Sequence, residues 1–187
     1  SGRIERFLTL AANDEFTVAQ PSTPASYFHL LRRQNLEAEH RPLIVFTPKS
    51  MLRNKQATSQ PEDFTSGTFR PVIGDDLVDA SKVERVLLCS GKVTWDLMTE
   101  RKKREGDSRP VEEIRAELAK YPNLREIRWV QDEPENQGPW PHVAVHLRDA
   151  FNVPMTHVTR AESSAPSTGS HAVHLTEAKD LMARAFA

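Results

Sequence analysis

Apolar residues at Ile4, Phe7, Leu8 and Ala11 recur at helical spacing and predict an amphipathic helix over Arg3–Ala12. A short β-prone run, Phe16–Ala19, stops at Pro21. Ser22-Thr23-Pro24 then reads as a helix start, with a hydroxyl cap candidate followed by proline in the first turn. Tyr27, Phe28, Leu30 and Leu31 are expected to form the buried face of that helix, and Arg32-Arg33 to lie in its last turn. Pro42–Thr47 is a continuous apolar run ended by Pro48, the pattern of a strand covered on both faces. From Asn54 to Ser81 the pattern weakens to Thr, Ser, Gln, Pro and Asp, which reads as a linker lying against a surface.

Periodicity resumes with a strand at Val83–Cys89, which ends in Ser90-Gly91-Lys92. Helices Thr94–Glu105 and Val111–Tyr121 follow, then a strand at Leu124–Gln131 and a polar loop containing Pro134, Gly138, Pro139 and Pro141. A strand Met155–Ala161, a loop Ser163–Ser170 and a helix Thr176–Phe186 close the chain. Alternating strands and helices imply an α/β fold, a three-layer arrangement around a mostly parallel sheet. No internal repeat is visible.

Composition narrows the function classes. The 187 residues carry 25 Lys+Arg against 26 Asp+Glu, a net charge of −1, which lacks the basic footprint of a nucleic-acid binder. No apolar run approaches the ~18 residues of a membrane span, and Ser1–Arg6 are not followed by a signal-peptide core, so a cytoplasmic location is expected. The seven glycines are too scattered for a phosphate-cradling loop. Cys89 has no partner for a disulfide and no neighbouring His, so it reads as a buried, inert thiol.

His142 and His146 are four residues apart and can share a face, but zinc asks for more ligands than this segment offers, which favours a structural role. Ser90-Gly91-Lys92 follows a parallel strand, where α/β sheets gather ligands, and reads equally well as a simple turn. The run Arg101–Arg104 is read as a solvated helix face. Arg32, Arg33, Lys49, Arg53 and Lys55 cluster basic charge around one helix end and the loop after the apolar strand, a pattern suited to a phosphate-bearing ligand. Spacing alone builds no acid–base pair and no nucleophile.

Longer motifs are more specific. The runs Gln20-Pro-Ser-Thr-Pro-Ala-Ser-Tyr-Phe-His-Leu-Leu-Arg-Arg-Gln34 and Arg41-Pro-Leu-Ile-Val-Phe-Thr-Pro-Lys-Ser-Met-Leu-Arg53 resemble the 2-oxoglutarate dehydrogenase decarboxylating component. So do Ala57-Thr-Ser59, Leu87–Lys92, Trp129-Val-Gln-Asp-Glu-Pro-Glu-Asn-Gln-Gly-Pro-Trp140 and Ala165–Gly169 followed by His171, in the same order. The wording is most similar to the actinobacterial branch. The resemblance implies a transketolase-like architecture. Residues 1–53 would be the tail of a thiamin pyrimidine-binding domain, 54–81 a linker and 82–187 a transketolase C-terminal-like domain.

It also implies thiamin diphosphate and magnesium, bound by residues N-terminal to this stretch, so no catalytic residue transfers onto the chain. Implied partners are the remainder of the same enzyme, a second copy in a homodimer and a lipoyl-bearing succinyltransferase. Another thiamin-dependent 2-oxoacid dehydrogenase or transketolase, or a non-catalytic assembly and effector-binding module, is the alternative. In the actinobacterial branch the resemblance further implies an acetyl-CoA effector site, whose contact positions fall on Thr17, Arg33, Thr68 and Pro71. Thr68 and Pro71 stand where the family can carry Lys and Ser, with Arg70 or Lys55 as compensating cations.

One departure is larger. Arg104-Glu-Gly-Asp-Ser-Arg-Pro110 joins two helices directly where the family has an apolar strand and turn, about a dozen residues. Losing a central strand would expose much apolar area at ~25 cal/mol/Å², so the expectation is an omitted segment and a chain break near Ser108–Pro110.

Overall fold

Thr23 accepts a hydrogen bond from the Ser26 amide at 3.1 Å, and Pro24 opens the helix behind it. This hydroxyl-and-proline start sets the first layered unit of the chain. The computed structural model describes residues 2–74, 79–104 and 118–187. Helix α1 (Ile4–Leu10) leads to strand β1 (Thr17–Ala19), helix α2 (Pro24–Leu36) and strand β2 (Leu43–Val45). β1 and β2 pair in parallel, Thr17 opposite Leu43 and Ala19 opposite Val45. Residues 54–74 and 79–81 are largely irregular, but they include a short helix, α3 (Pro61–Thr65). The His29 ring on α2 meets the Asp63 carbonyl of α3 at 2.8 Å, so this connecting stretch is tied down.

The second unit is a parallel sheet of β3 (Arg85–Leu88), β4 (Glu126–Pro134) and β5 (Met155–Arg160), in that order. Alternate residues face opposite sides. Val86, Leu88, Ile127, Trp129 and Met155 pack with Leu118, Tyr121, Trp140 and Val143 on one side. Leu87, Val130 and Val158 pack on the other against α4 (Val93–Arg104) and α6 (His171–Ala185), through Val93, Leu97, Leu181 and Ala185. Both faces are covered, so the layered parallel sheet expected from the sequence is present.

Several boundaries differ from expectation. The polar loop after β4 contains a helix, α5 (Trp140–His146), whose prolines sit at its start, where they cost no hydrogen bond. β4 runs on to Pro134 through a bulge: Val130 pairs with Val158, and Pro134 with Arg160. The closing helix begins at His171 instead of Thr176, because its first turn exposes Val173 and Leu175 and so carries no amphipathic signal. On α2, Ala25, His29 and Leu30 are buried, whereas Tyr27, Phe28 and Leu31 are exposed at 38%, 43% and 49%. That helix packs against α3, where the Phe28 ring meets Phe64 edge-on at 5.7 Å between centroids and stays half-open to solvent. The expected helix Val111–Tyr121 lies outside the described residues up to position 117. The expected break near Ser108–Pro110 lies outside them altogether.

A charged network closes the amino edge of the larger sheet. Glu126 accepts from Arg85 Nε at 2.5 Å, Arg128 Nε at 3.0 Å and the Thr156 hydroxyl at 2.6 Å. The same guanidiniums donate to the end of α6, Arg128 to the Arg184 carbonyl at 2.7 Å and Arg85 to the Ala187 carbonyl at 2.9 Å. Burial acts to raise the Glu126 carboxyl, but the bonds from Thr156, Arg85 and Arg128 outweigh it and hold the group below its usual range.

Two measurements on the chain test this account. Leu181, 2% exposed, is expected to cost about 2–5 kcal/mol in urea unfolding when replaced by Ala. Because the folded Glu126 titrates below its unfolded value, its contribution is complete above the unfolded carboxylate pKa and is lost as pH falls through the folded one. Glu126→Gln is therefore expected to flatten the acid limb of a stability-versus-pH curve, and an unaltered limb would contradict the network's role.

Candidate binding site between the two sheets

The two parallel sheets meet through a small set of polar contacts. Gln20, immediately after β1, accepts a hydrogen bond from the Ser90 hydroxyl at 2.9 Å. The Trp95 indole N–H donates to the Ser22 carbonyl at 2.8 Å. Gly91 takes a left-handed φ of 65°, and a Cβ there would lie 2.6 Å from the Gln20 amide nitrogen. Only glycine lets the turn after β3 approach so closely. Ser90-Gly91-Lys92 is thus a turn whose first two members clasp the other sheet. On the far side of α1, the Gly138 amide donates to the Glu5 carboxylate at 3.0 Å.

Two cavities flank this junction. The first, about 730 Å³, has Thr17, Arg33, Phe69, Arg70, Pro71 and Met98 in its wall. The Arg33 guanidinium lies 5.6 Å from the Phe69 ring centroid and pairs with Glu37 at 2.6 Å. Three of the four effector positions implied by the sequence, Thr17, Arg33 and Pro71, therefore converge on one wall. Thr68, beside Phe69, is exposed and stands outside it. Of the two compensating cations, Arg70 belongs to the wall and Lys55 does not. Arg32 and Arg53 are likewise exposed and apart from it, so the basic cluster divides instead of converging. Cys89 forms part of the same wall, its sulfur 3.3 Å from the Thr94 hydroxyl, and burial pushes its thiol up to about 12. That thiol stays protonated and unreactive at neutral pH.

The second cavity, about 880 Å³, lies where the carboxyl ends of both sheets face each other. Lys49 after β2, Lys92 after β3, Asp132 and Glu133 in the β4 bulge and Arg160 at the end of β5 all reach it. Lys92 pairs with Asp132 at 3.5 Å and with Asp96. Burial lowers the affinity of Lys92 for its proton, yet Asp132 and Asp96 outweigh that and hold the ammonium charged. Glu133 is pushed up to about 7, first by burial and then by the adjacent Asp132 carboxylate, with Arg160 pulling the other way.

Sequence reasoning did not single out the residue that organises this wall. Gln131, 2% exposed, accepts from the Trp129 indole at 3.0 Å and the Trp140 amide at 2.7 Å. It donates to the carbonyls of Pro134 at 3.1 Å and Gln137 at 2.7 Å. The only sequence signal was its place within the long Trp129–Trp140 run. His142 and His146 lie 4.3 Å apart between ring centroids on α5, tilted by 43°, and burial followed by the His146 neighbour lowers the pKa of His142. Among the described residues no group of three His, Cys, Asp or Glu side chains converges in metal-binding geometry. Nor is any described helix long and apolar enough to cross a membrane.

Comparison with known proteins connects these features. The family model "2-oxoglutarate dehydrogenase C-terminal" matches residues 58–186, and that of the transketolase pyrimidine-binding domain matches residues 1–55. The "2-oxoglutarate dehydrogenase E1/E2 component" of Corynebacterium glutamicum is 49% identical over the whole chain, which spans 16% of that protein. The "multifunctional 2-oxoglutarate metabolism enzyme" of Mycolicibacterium vanbaalenii is 45% identical over the whole chain, which again spans 16% of the relative. The "2-oxoglutarate dehydrogenase E1 component" of Cupriavidus necator is 44% identical, with 100% of this chain and 21% of the relative covered. The chain belongs to the 2-oxoglutarate dehydrogenase C-terminal family, and the first sheet that precedes this domain is of the transketolase pyrimidine-binding type.

Proposed function

We propose that this chain is the C-terminal portion of a thiamin-diphosphate-dependent 2-oxoglutarate dehydrogenase, which decarboxylates 2-oxoglutarate and passes the succinyl group to a lipoyl arm. The observation that carries this reading is the 49% identity over every part of the chain to a protein bearing that name. Residues 1–53 act as the tail of the pyrimidine-binding domain, 54–81 as a linker and 82–187 as the C-terminal domain.

When bound, thiamin diphosphate would supply the electron sink that decarboxylation of a 2-oxoacid needs. Its diphosphate and magnesium ask for a glycine-rich cradle and a carboxylate set. Among the described residues no three His, Cys, Asp or Glu side chains converge, and the diphosphate and magnesium are assigned to the remainder of the protein. What the chain contributes is a rigid brace and an effector pocket. The exposed Tyr27, Phe28 and Leu31 face of α2 and Leu52, 85% exposed, are surfaces for the rest of the enzyme and for a second copy in a homodimer. The lipoyl-bearing succinyltransferase is the expected macromolecular partner, in the cytoplasm.

The effector is acetyl-CoA, taken up in the 730 Å³ cavity with Thr17, Arg33 and Pro71 in its wall. Arg33 and Arg70 supply charge for its phosphates, and the Phe69 and Met98 side chains an apolar surface. The convergence of three sequence-implied positions on one wall favours this use over a purely structural cleft.

Two experiments test the proposal. The 187-residue chain, supplied with thiamin diphosphate, magnesium and 2-oxoglutarate, is expected to release no CO₂ above background, whereas co-expression with the rest of the polypeptide restores release. Decarboxylation by the chain alone would overturn the assignment. In the full-length enzyme Arg33→Glu is expected to abolish activation by acetyl-CoA, and an unchanged response would reject the effector site.

A further inference from the structure

Helix α5 is short but firmly seated. Trp140 and Val143, each 6% exposed, bury one side of it against the larger sheet, and the Trp140 amide is fixed by Gln131 at 2.7 Å. Helical bonds close its backbone, from the Val143 amide to the Pro139 carbonyl at 3.0 Å and from the Leu147 amide to the Val143 carbonyl at 2.8 Å. His142 and His146 stand together on another flank, the first half-buried and the second exposed. Residues one turn apart are neighbours on a helix surface. Among the described residues neither ring takes part in a hydrogen bond or an ion pair, so no protein group there competes for their nitrogens.

We propose that His142 and His146 form a two-imidazole site for a divalent cation of the nickel and copper class, with water completing the coordination. The pair stands outside the walls of both cavities, so the proposal is independent of the effector reading.

Geometry selects the class of ion. The ring centroids are 4.3 Å apart and the rings are tilted by 43°, a separation that one ion can bridge. An imidazole nitrogen binds its metal at ~2.0–2.1 Å, which places the ion roughly 3 Å from each ring centre. Centres 4.3 Å apart then subtend close to a right angle at the ion. That is the cis angle of a tetragonal site, the arrangement Cu²⁺ and Ni²⁺ adopt with nitrogen and oxygen ligands, and it is narrow for a tetrahedron. Zinc is also disfavoured by ligand number, because its protein sites supply three or four side chains. No third His, Cys, Asp or Glu side chain joins this pair among the described residues. Magnesium and calcium ask for oxygen ligands and are excluded by the donor atoms.

A histidine must be neutral to bind a metal. Burial, and then the neighbouring His146, lowers the pKa of His142, so its ring keeps a free lone pair at neutral pH. Since Gln131 and the sheet already pin α5, binding orders only the two side chains.

The test uses the full-length enzyme, stripped of metal and then supplied with excess Mg²⁺ to fill its oxygen sites. Calorimetric titration with Ni²⁺ and, separately, with Cu²⁺ is expected to show one equivalent per chain that is lost in both His142→Gln and His146→Gln, with Cu²⁺ bound more tightly than Ni²⁺. Electron paramagnetic resonance of the Cu²⁺-loaded parent is expected to show a tetragonal signal coupled to two nitrogens, absent from either variant. His146 is exposed, so its variant provides the reading if His142→Gln does not fold. Equal uptake by the parent and the folded variants overturns the site. Loss in only one of two folded variants places the ion on a single imidazole and also overturns it, as does displacement of the bound Ni²⁺ by Mg²⁺.

Discussion

A single buried amide sets the shape of the wall on which both cavities depend. Gln131 makes four hydrogen bonds within a space closed to water, two as acceptor and two as donor. A buried amide with a bond missing would carry a desolvation cost of about 1–3 kcal/mol, so the surrounding backbone is held to the one path that satisfies it. That path bulges β4 at Asp132 and Glu133, turns at Gly138 and starts α5 at Trp140. The bulge brings two carboxylates to the second cavity, and the turn offers its amide to Glu5 of α1.

Much of the fold was legible in the sequence because it follows from local rules. Thr23 and Pro24 announced a helix start that the hydroxyl bond fulfils, the unbroken apolar run at β2 announced a parallel strand, and Val83–Cys89 announced the strand β3. The long motifs announced the family. The misses have physical causes as well. Pro139 and Pro141 looked like loop residues, yet at the start of a helix proline gives up nothing. The exposed first turn of α6 carried no periodicity to read. Tyr27, Phe28 and Leu31 show that an apolar stripe reports a face suited to burial, without saying whether the covering surface lies within these residues.

The candidate site was legible to a different degree. Thr17, Arg33 and Pro71 come together although 54 positions separate the first from the last, which no local pattern discloses and only a resemblance can suggest. Thr68 fails to join them because the chain at this point turns its neighbour Phe69 inward, beneath Arg33. The second cavity was legible only in part: the sequence placed Lys92 after a parallel strand, where ligands gather, and Lys49 in a basic cluster, but gave no sign of the groups that join them. Its members, Lys92, Asp132, Glu133 and Arg160, follow different strands, and only a parallel sheet with all carboxyl ends on one side gathers them. The same geometry explains why so much charge meets in one cleft.

The turn that closes this wall also constrains how the protein varies. At Gly138 the backbone is left-handed, and an added Cβ would lie 2.8 Å from the Glu133 Cβ and 2.9 Å from the Gln131 amide nitrogen. Positions 131, 133 and 138 are therefore sterically interlocked: any side chain at 138 has to displace both the Glu133 stem and the Gln131 amide, and with them the bonds that shape the bulge.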